Sequence, residues 1–141
     1  MQGDAAEDPV ATGAIPTPTK IGTEDISYKF SGWDNLPTNV QSSISVYAQY
    51  DTYLAARFWN DSTLYLTEWV IDGGKVVEPK NYFEDYINPT RTSTAQYDYN
   101  FSKWNGDFNT PMTTTREFYA VYTSTVRKYN VYFYNDDKLC C

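Results

Sequence analysis

The sequence YKFSGWD at residues 28–34 returns almost unchanged as YNFSKWN at residues 99–105. Its aromatic side chains keep the same spacing in both copies, at an offset of 71 residues (99 − 28). The recurring residues are Tyr28, Phe30 and Trp33 in the first copy and Tyr99, Phe101 and Trp104 in the second. Self-similarity at a fixed offset indicates tandem structural units, so this heptapeptide sets the expected architecture.

The similarity extends to both sides of the heptapeptide in the same order. The other matched segments are 18–20 with 89–91, 46–50 with 119–122, and 58–61 with 133–136. They predict one complete unit at residues 53–124. Residues 1–52 are predicted to form an incomplete first module that lacks its opening strands, and residues 125–141 to carry the opening strand of a third, truncated module. The chain is therefore expected to be a slice of a longer array.

Alternating apolar residues predict the strands of one unit. LAARFWND (54–61) and TLYLTEWVI (63–71) read as a hairpin around the turn residues at 60–62. The segment 76–90 is expected to hold a short helical turn, because Pro79 suits a helix start and Pro89 ends one. QYDYNFSKW (96–104) and TREFYAVYT (115–123) then supply two more strands. The predicted fold is mainly β or α+β, as tandem small β-grasp-like modules, with a β-sandwich as the alternative.

Aromatic residues are expected to build the cores. They make up 18% of the chain, with 14 Tyr, and large rings bury much area in a small domain. The predicted core of the complete unit is Tyr99, Phe101, Trp104, Phe118, Ala120 and Tyr122. Trp33 and Trp104 are predicted to fill the two cores, and a core position is the default expectation for Trp69.

The charge and the chain ends exclude several classes of function. The net charge is −7 with no run of Lys or Arg, which disfavours nucleic acid and anionic membranes as partners. No apolar run reaches the ~20 residues of a membrane helix, and the start MQGDAAEDPV is unlike a secretory signal. Cys140 and Cys141 are adjacent, so they predict neither a disulfide framework nor a zinc site. A frayed or engineered end and intermolecular crosslinking both stay open for them.

The sequence carries no recognisable catalytic chemistry. It contains no histidine, no nucleophile elbow and no phosphate-binding loop. The acidic pairs Glu84-Asp85 and Asp136-Asp137 are expected on solvated turns. Asn60-Asp61 and Asp136-Asp137 offer oxygen atoms to Ca²⁺ without EF-hand spacing. We therefore predict no enzyme activity and no catalytic, cofactor or metal site, and we interpret the glycan-acceptor triplets at 60–62 and 100–102 as accidental.

These motifs resemble the Listeria–Bacteroides repeat, known from the B repeats of listerial internalins. The resemblance rests on the aromatic strand with its turn at 58–61, on Gly73-Gly74, on Pro89-Thr90, and on the two heptapeptides with their closing strands. It implies a ubiquitin-like β-grasp fold, no catalytic residues, and a spacer or adhesion role. Lys103 departs from the family glycine, so the turn before Trp104 is expected to differ. The long segment between Pro79 and Trp104 resembles variants in bacteriophage particles.

Two functions from different classes follow. The first is a non-enzymatic structural and adhesion module at a virion or cell surface, from a larger bacteriophage structural protein. Its expected partners are other modules, copies of itself, or a host-surface protein or glycan. The alternative is a carbohydrate-binding module of a bacterial surface protein that stacks glycans on Tyr47, Tyr119 or Trp69. Solvent exposure of those rings discriminates the two. The strand at 126–134 is expected to dock on residues 1–52 of a neighbouring chain or to be poorly ordered.

Overall fold

Extended strands account for all the regular structure in the described part of the chain. A computed structural model describes residues 5–81 and 83–139, and within them it contains no helix. The strands are β1 (Ile26–Trp33), β2 (Ala48–Asn60), β3 (Thr63–Ile71), β4 (Tyr97–Asn105), β5 (Arg116–Val126), β6 (Tyr134–Asn135) and β7 (Lys138–Leu139). The prediction of a mainly β fold is confirmed.

Five of the strands form one mixed sheet in which β2 is central. The order is β1-β2-β5-β4, and β3 pairs with β2. Tyr53 and Leu54 pair with both β1 and β3, so these two strands flank β2 on opposite edges. β5 pairs in parallel with residues 56–59 of β2, which also pair with β3. β1 and β5 therefore follow one another along the same edge of β2.

The strand β2 is continuous across the predicted module boundary. It runs for 13 residues, and the boundary between residues 52 and 53 falls near its middle. Its first half pairs with β1 from the predicted first module, and its second half with β3 and β5 from the second. A strand interior, not a flexible linker, therefore joins the two segments. The module boundaries themselves stay a prediction.

The hairpin-like pairs β1–β2 and β4–β5 have corresponding registers. Phe30 lies opposite Tyr50 in the first, and Phe101 lies opposite Tyr122 in the second. In both pairs the register shifts directly after this Phe, at a β-bulge. The Phe–Tyr ring centroids are 6.1 Å apart in each. Matched sequence thus produces matched local geometry in the two pairs.

The glycine that Lys103 replaces has a different backbone conformation. Gly32 has a φ of 146°, in the region that glycine alone visits easily. Lys103 is not among the described residues with positive φ, yet the register shift occurs at the same place. The bulge therefore does not depend on the glycine, although the backbone angle does.

One face of the sheet carries the buried core. Leu54, Ala56 and Phe58 alternate along β2 toward that face, and loop residues such as Val76 and Met112 pack against them. Phe58 stacks on Phe118 at 4.7 Å and meets the edge of Trp104 at 5.0 Å, measured between ring centroids. The buried cluster comprises Leu54, Ala56, Phe58, Val76, Trp104, Met112 and Phe118. This cluster is the main core of the described residues, and it is centred on the 53–124 segment.

The core prediction is right for the residues nearest Phe58. Trp104 and Phe118 are 5% and 0% exposed, and Phe101 and Ala120 pack against the cluster. Tyr99 and Tyr122 are half-buried and stand outside the cluster. Both rings lie under the guanidinium of Arg91, at 5.1 and 4.3 Å from the ring centroids, so a cation partly occupies the place expected for apolar packing.

Two tryptophan predictions are wrong. Trp33 is half-buried, outside the main cluster, and its Nε1 donates a hydrogen bond to Asp8 at 2.8 Å. It packs on Phe30 at 5.4 Å but has no counterpart of Phe58 beside it. Trp69 is 43% exposed, because its position in β3 alternates with the core-facing Val70 and points to the opposite face of the sheet.

The helical turn expected within 76–90 is absent from the described residues of that segment. A bridge between Lys80 and Tyr86 closes it instead. The side-chain oxygen of Asn81 accepts hydrogen bonds from the backbone N–H groups of Phe83 and Asp85. This local pairing competes with helical hydrogen bonds, and Glu84 has a φ of 64°, which a right-handed helix does not accommodate.

Residues 126–134 do not form the single strand that the sequence predicts. β5 ends at Val126, residues 127–133 have no strand assignment, and β6 begins at Tyr134. The backbone N–H of Arg127 still donates to the carbonyl of Gln96 at 2.9 Å. The Tyr129 hydroxyl donates to the carbonyl of Ala95 at 2.7 Å. Without a strand beside it, the segment cannot satisfy its backbone as a ladder.

Candidate interaction surfaces

An open cleft of about 700 Å³ lies on the face of the sheet opposite the core. Its lining residues are Glu24, Asp25, Arg57, Trp59, Leu64, Thr67, Trp69 and Glu117. Those from β2, β3 and β5 occupy the outward positions of their strands, which alternate with the core positions. We call this the outer cleft. It combines indole rings with three carboxylates and one guanidinium.

Arg57 is the electrostatic centre of the outer cleft. Its Nη2 atom donates to Asp25 Oδ1 at 2.5 Å and to the carbonyl of Glu24 at 2.6 Å, and its Nη1 donates to Glu117 Oε1 at 3.2 Å. The hydrogen bond to Asp25 raises the pKa of Arg57, burial partly opposes this rise, and the bond to Glu117 adds to it. The side chain is only 15% exposed, so it joins the start of β1 to β5 across β2.

Glu117 orients the neighbouring indole. Its Oε2 atom accepts a hydrogen bond from Nε1 of Trp59 at 2.5 Å, while its Oε1 holds Arg57. One carboxylate therefore fixes two adjacent side chains of β2. Trp69, by contrast, is 43% exposed and forms the accessible aromatic wall of the cleft.

The three proposed stacking rings are all exposed but do not form one site. Tyr47 and Tyr119 are 66% and 50% exposed. Tyr119 lies beside Trp59 in the β2–β5 ladder without lining the outer cleft, and Tyr47 precedes β2. Only Trp69 lies in the cleft, where Trp59 is the ring that sequence reasoning missed. The sequence signal for this cleft was the presence of Arg57 and Glu117, two opposite charges in strand segments that are otherwise rich in apolar residues.

The polar residues considered for calcium are engaged in other contacts or stand on turns. Asn60 donates to the carbonyl of Thr90 at 2.9 Å and accepts from the Tyr122 hydroxyl at 2.6 Å. Asp61 forms an ion pair with Arg91. Asp136 occupies the β6–β7 turn with a φ of 55°. No group of three or more acidic or cysteine side chains is arranged for a metal among the described residues, and the absence of metal binding stays a prediction.

A second open cleft, also of about 700 Å³, lies beside the core face. Its lining residues are Glu68, Val76, Val77, Glu78, Lys80, Glu84, Tyr86 and Phe108. Burial raises the pKa of Glu68, because β3 turns this carboxylate toward the core side, opposite Ala56. Glu84 lines this cleft, whereas Asp85, its predicted acidic partner, does not.

Several sequence predictions concern features outside these clefts. Cys140 and Cys141 lie outside the described residues. Among the described residues no helix is long and apolar enough to cross a membrane. Ser102, the third residue of one glycan-acceptor triplet, lies at the β4 bulge.

In comparisons with protein-family models, with curated protein sequences and with solved structures, the chain has no match. The resemblance to the Listeria–Bacteroides repeat therefore rests on the sequence motifs alone.

Proposed function

We propose that this chain is a non-enzymatic structural module built of tandem β-grasp-like repeats. In this proposal it acts as a stiff spacer that presents surfaces outward on a virion or an extracellular surface, as part of a larger bacteriophage structural protein. Its partners are adjoining repeats, further copies, or a host-surface protein or glycan, and it neither binds nucleic acid nor inserts into a membrane. The heptapeptide motifs and the lack of catalytic residue patterns support this reading.

The strand order supports the β-grasp comparison. From Leu54 onward the strands run β3-β2-β5-β4, with the first and last strands of the unit, β2 and β5, parallel at the centre. This order and the parallel central pair support the proposed ubiquitin-like fold. In place of the usual helix, loop residues such as Val76 and Met112 cover the core face. The proposed units are therefore β-grasp-like sheets with an irregular cover.

The observation that carries the spacer function is the continuity of β2. A hinge between modules requires backbone that can change its dihedral angles, whereas residues 53 and 54 are paired on both edges. Arg57 adds a side-chain link from Asp25 to Glu117 across the same junction. Bending there would break ladder hydrogen bonds and separate this ion-pair network. The proposed consequence is a fixed angle between consecutive units.

A spin-label distance measurement tests the stiffness. Labels at Lys29→Cys in β1 and Lys103→Cys in β4, with Cys140→Ser and Cys141→Ser, are expected to give one narrow distance distribution. A Gly-Ser-Gly-Ser insertion between Thr52 and Tyr53 should broaden it. The same insertion between the exposed Ser42 and Ser43 is the matched control and should leave it narrow. A broad distribution in the uninserted chain would refute the stiff-spacer proposal.

The outer cleft favours a second candidate function, the recognition of a neutral glycan. The observation is an exposed indole, Trp69, beside carboxylates that accept hydrogen bonds from hydroxyl groups. An indole face offers apolar contact area with little conformational freedom to lose. NMR titration with neutral oligosaccharides should shift the Trp69 indole signal, and Trp69→Ala should abolish the response. Tyr47→Ala, which removes an exposed ring outside the cleft, is the control. Oligosaccharides that leave the indole signals unmoved would exclude this candidate.

A further inference from the structure

Just before β2, the described residues include a segment that has no parallel strand beside it, although the matching segment of β5 does. Residues 116–119 pair in parallel with residues 56–59 of β2. The offset of 72 between Tyr50 and Tyr122 makes residues 44–47 the counterpart of 116–119. Residues 44–47 have no strand assignment, and Ile44 and Tyr47 are 52% and 66% exposed. We call residues 44–47 the acceptor segment.

Apolar surface lies exposed around the acceptor segment. An open cavity of about 530 Å³ is lined by Ala6, Val40, Gln41, Ser42, Ser43, Ile44 and Val46. Nearby, Trp33 stays half-buried while its counterpart Trp104 is 5% exposed. Trp104 is covered by Phe58, which also stacks on Phe118, and by Tyr65, whose ring centroid is 5.9 Å away. Within the described residues, this region has no counterpart of the second half of β2 or of its Phe58 ring.

The chain carries a second copy of that strand and ring near its C-terminus. FYNDDKL at 133–139 matches FWNDSTL at 58–64 with a constant offset of 75. The pairs Tyr134–Leu139 and Asn135–Lys138 reproduce the end of the β2–β3 hairpin, and the turn residues Asp61 and Asp136 both have a φ of 55°. We call residues 131–139 the donor hairpin.

The donor hairpin has the shape of its counterpart but none of its burial. Phe133 is 61% exposed, whereas Phe58, the matching residue, is 0% exposed. Val131, Tyr132 and Tyr134 are also 58–73% exposed. A contiguous exposed group of this kind marks an interaction surface, and unpaired extended backbone favours pairing with another chain.

We propose that the donor hairpin of one copy pairs in parallel with the acceptor segment of a second copy. The internal β2–β5 ladder gives the register: Phe133 lies opposite Val46, as Phe58 lies opposite Phe118, and Tyr134 lies opposite Tyr47. Phe133 then covers Trp33 as Phe58 covers Trp104. This inference rests on the proposed repeat architecture, and it adds the partner, another copy of the same chain.

The symmetry of the contact agrees with this partner. Donor and acceptor are different surfaces of one molecule, which makes the contact head-to-tail. Such contacts form open chains unless their rotation closes a ring. The copies therefore add one after another, in the manner of consecutive repeats.

Sedimentation velocity of the 141-residue chain tests the pairing, with both cysteines changed to serine to exclude disulfides. The average mass should rise with concentration. Phe133→Asp, which damages the donor, and Val46→Asp, which damages the acceptor, should each remain monomeric. Tyr86→Asp changes an equally exposed ring elsewhere and should associate like the parent. If Val46→Asp does not fold, Ser45→Pro replaces it, because proline removes a ladder donor on the exposed segment.

A mixture of the two variants gives the sharpest test. The Phe133→Asp chain keeps its acceptor and the Val46→Asp chain keeps its donor, so their mixture should form 1:1 dimers that grow no further. A parent that stays monomeric at all concentrations would overturn the proposal, as would association that survives Phe133→Asp or a mixture that stays monomeric. The spin-label distances lie within one chain and, measured in the non-associating Phe133→Asp background, report stiffness separately. Failure of one proposal is thereby distinguished from failure of the other.

Discussion

At the scale of single residues, a side chain's burial depends on its partners more than on its own sequence context. Trp33 and Trp104 have nearly the same neighbours in sequence and the same bulge before them. Each packs on the preceding Phe, at 5.4 and 5.3 Å. Only Trp104 also meets Phe58, which comes from a distant strand. The local motif specifies the ring's position, and the distant strand determines whether it is buried.

This pair of tryptophans provides a matched prediction. Trp104→Ala should lower the free energy of unfolding by about 3–5 kcal/mol, as expected for a buried ring that leaves a cavity. Trp33→Ala should cost clearly less, because much of its ring is already in water and its loss leaves no closed cavity. Urea denaturation of both variants measures the difference. Equal losses would show that the first core is better packed than its exposure indicates.

Gly106 supports the core through its lack of a side chain. A Cβ atom at this position would lie 2.2 Å from Cδ1 of Phe118, and Phe118 is fully buried against Phe58. Gly106→Ala should therefore destabilise the chain by about 1–3 kcal/mol through overpacking. Thermal unfolding of the single variant and of the double variant with Phe118→Leu measures this. If the two substitutions act additively, the contact is not the cause.

Glu68 predicts a pH dependence with a definite sign. Burial raises its pKa, so the protonated form is favoured in the folded chain, and the stability this gives is lost as the pH rises through the folded-state pKa. Glu68→Gln should therefore be more stable than the parent at neutral pH and equal to it in acid. Denaturation across a pH series tests this, with the exposed Glu78→Gln as control. A neutral-pH loss in Glu68→Gln would contradict the reasoning.

At the scale of elements, the positions of the strands can be predicted from the sequence. Their lengths and the loops that pack over the core cannot. All five long strands coincide with segments identified from alternation or recurrence. The continuity of β2 was missed, because the closing and opening strands of neighbouring units were interpreted separately although only three residues lie between Tyr50 and Leu54. The prediction of a helical turn was wrong because the side-chain oxygen of Asn81 accepts hydrogen bonds from the backbone N–H groups of Phe83 and Asp85. Trp69 of the outer cleft was identified from the sequence as a candidate stacking ring. Arg57 and Glu117 were not identified as partners, because they lie far apart in sequence and only the parallel pairing of β2 with β5 brings them together.

The segment before each strand pair is held by a cation over two tyrosines. Arg91 lies over Tyr99 and Tyr122, and Lys20 lies 4.2 Å from the ring centroid of Tyr28 and 6.0 Å from that of Tyr50. Since lysine already fills this role in one copy, Arg91→Lys should be nearly neutral. Arg91→Ala should cost about 1 kcal/mol, as cation–π contacts of this kind contribute. Chemical denaturation measures the loss of unfolding free energy in each variant. Equal losses would mean that the ion pair between the Arg91 guanidinium and Asp61 contributes more than the cation–π contacts.

At the scale of the whole molecule, the shared strand predicts that the two predicted modules unfold together. The β1–β2 pair cannot persist once the second half of β2 is lost, because Tyr53 and Leu54 pair on both edges and Arg57 connects Asp25 to Glu117. Fluorine NMR of the chain labelled with fluorotryptophan should show the signals of Trp33 and Trp104 melting at one midpoint. Phe118→Ala, which damages only the second core, should lower the Trp33 midpoint equally. Separate midpoints would mean that β2 joins the modules without coupling them, and the fixed angle proposed for the array would then have no energetic basis.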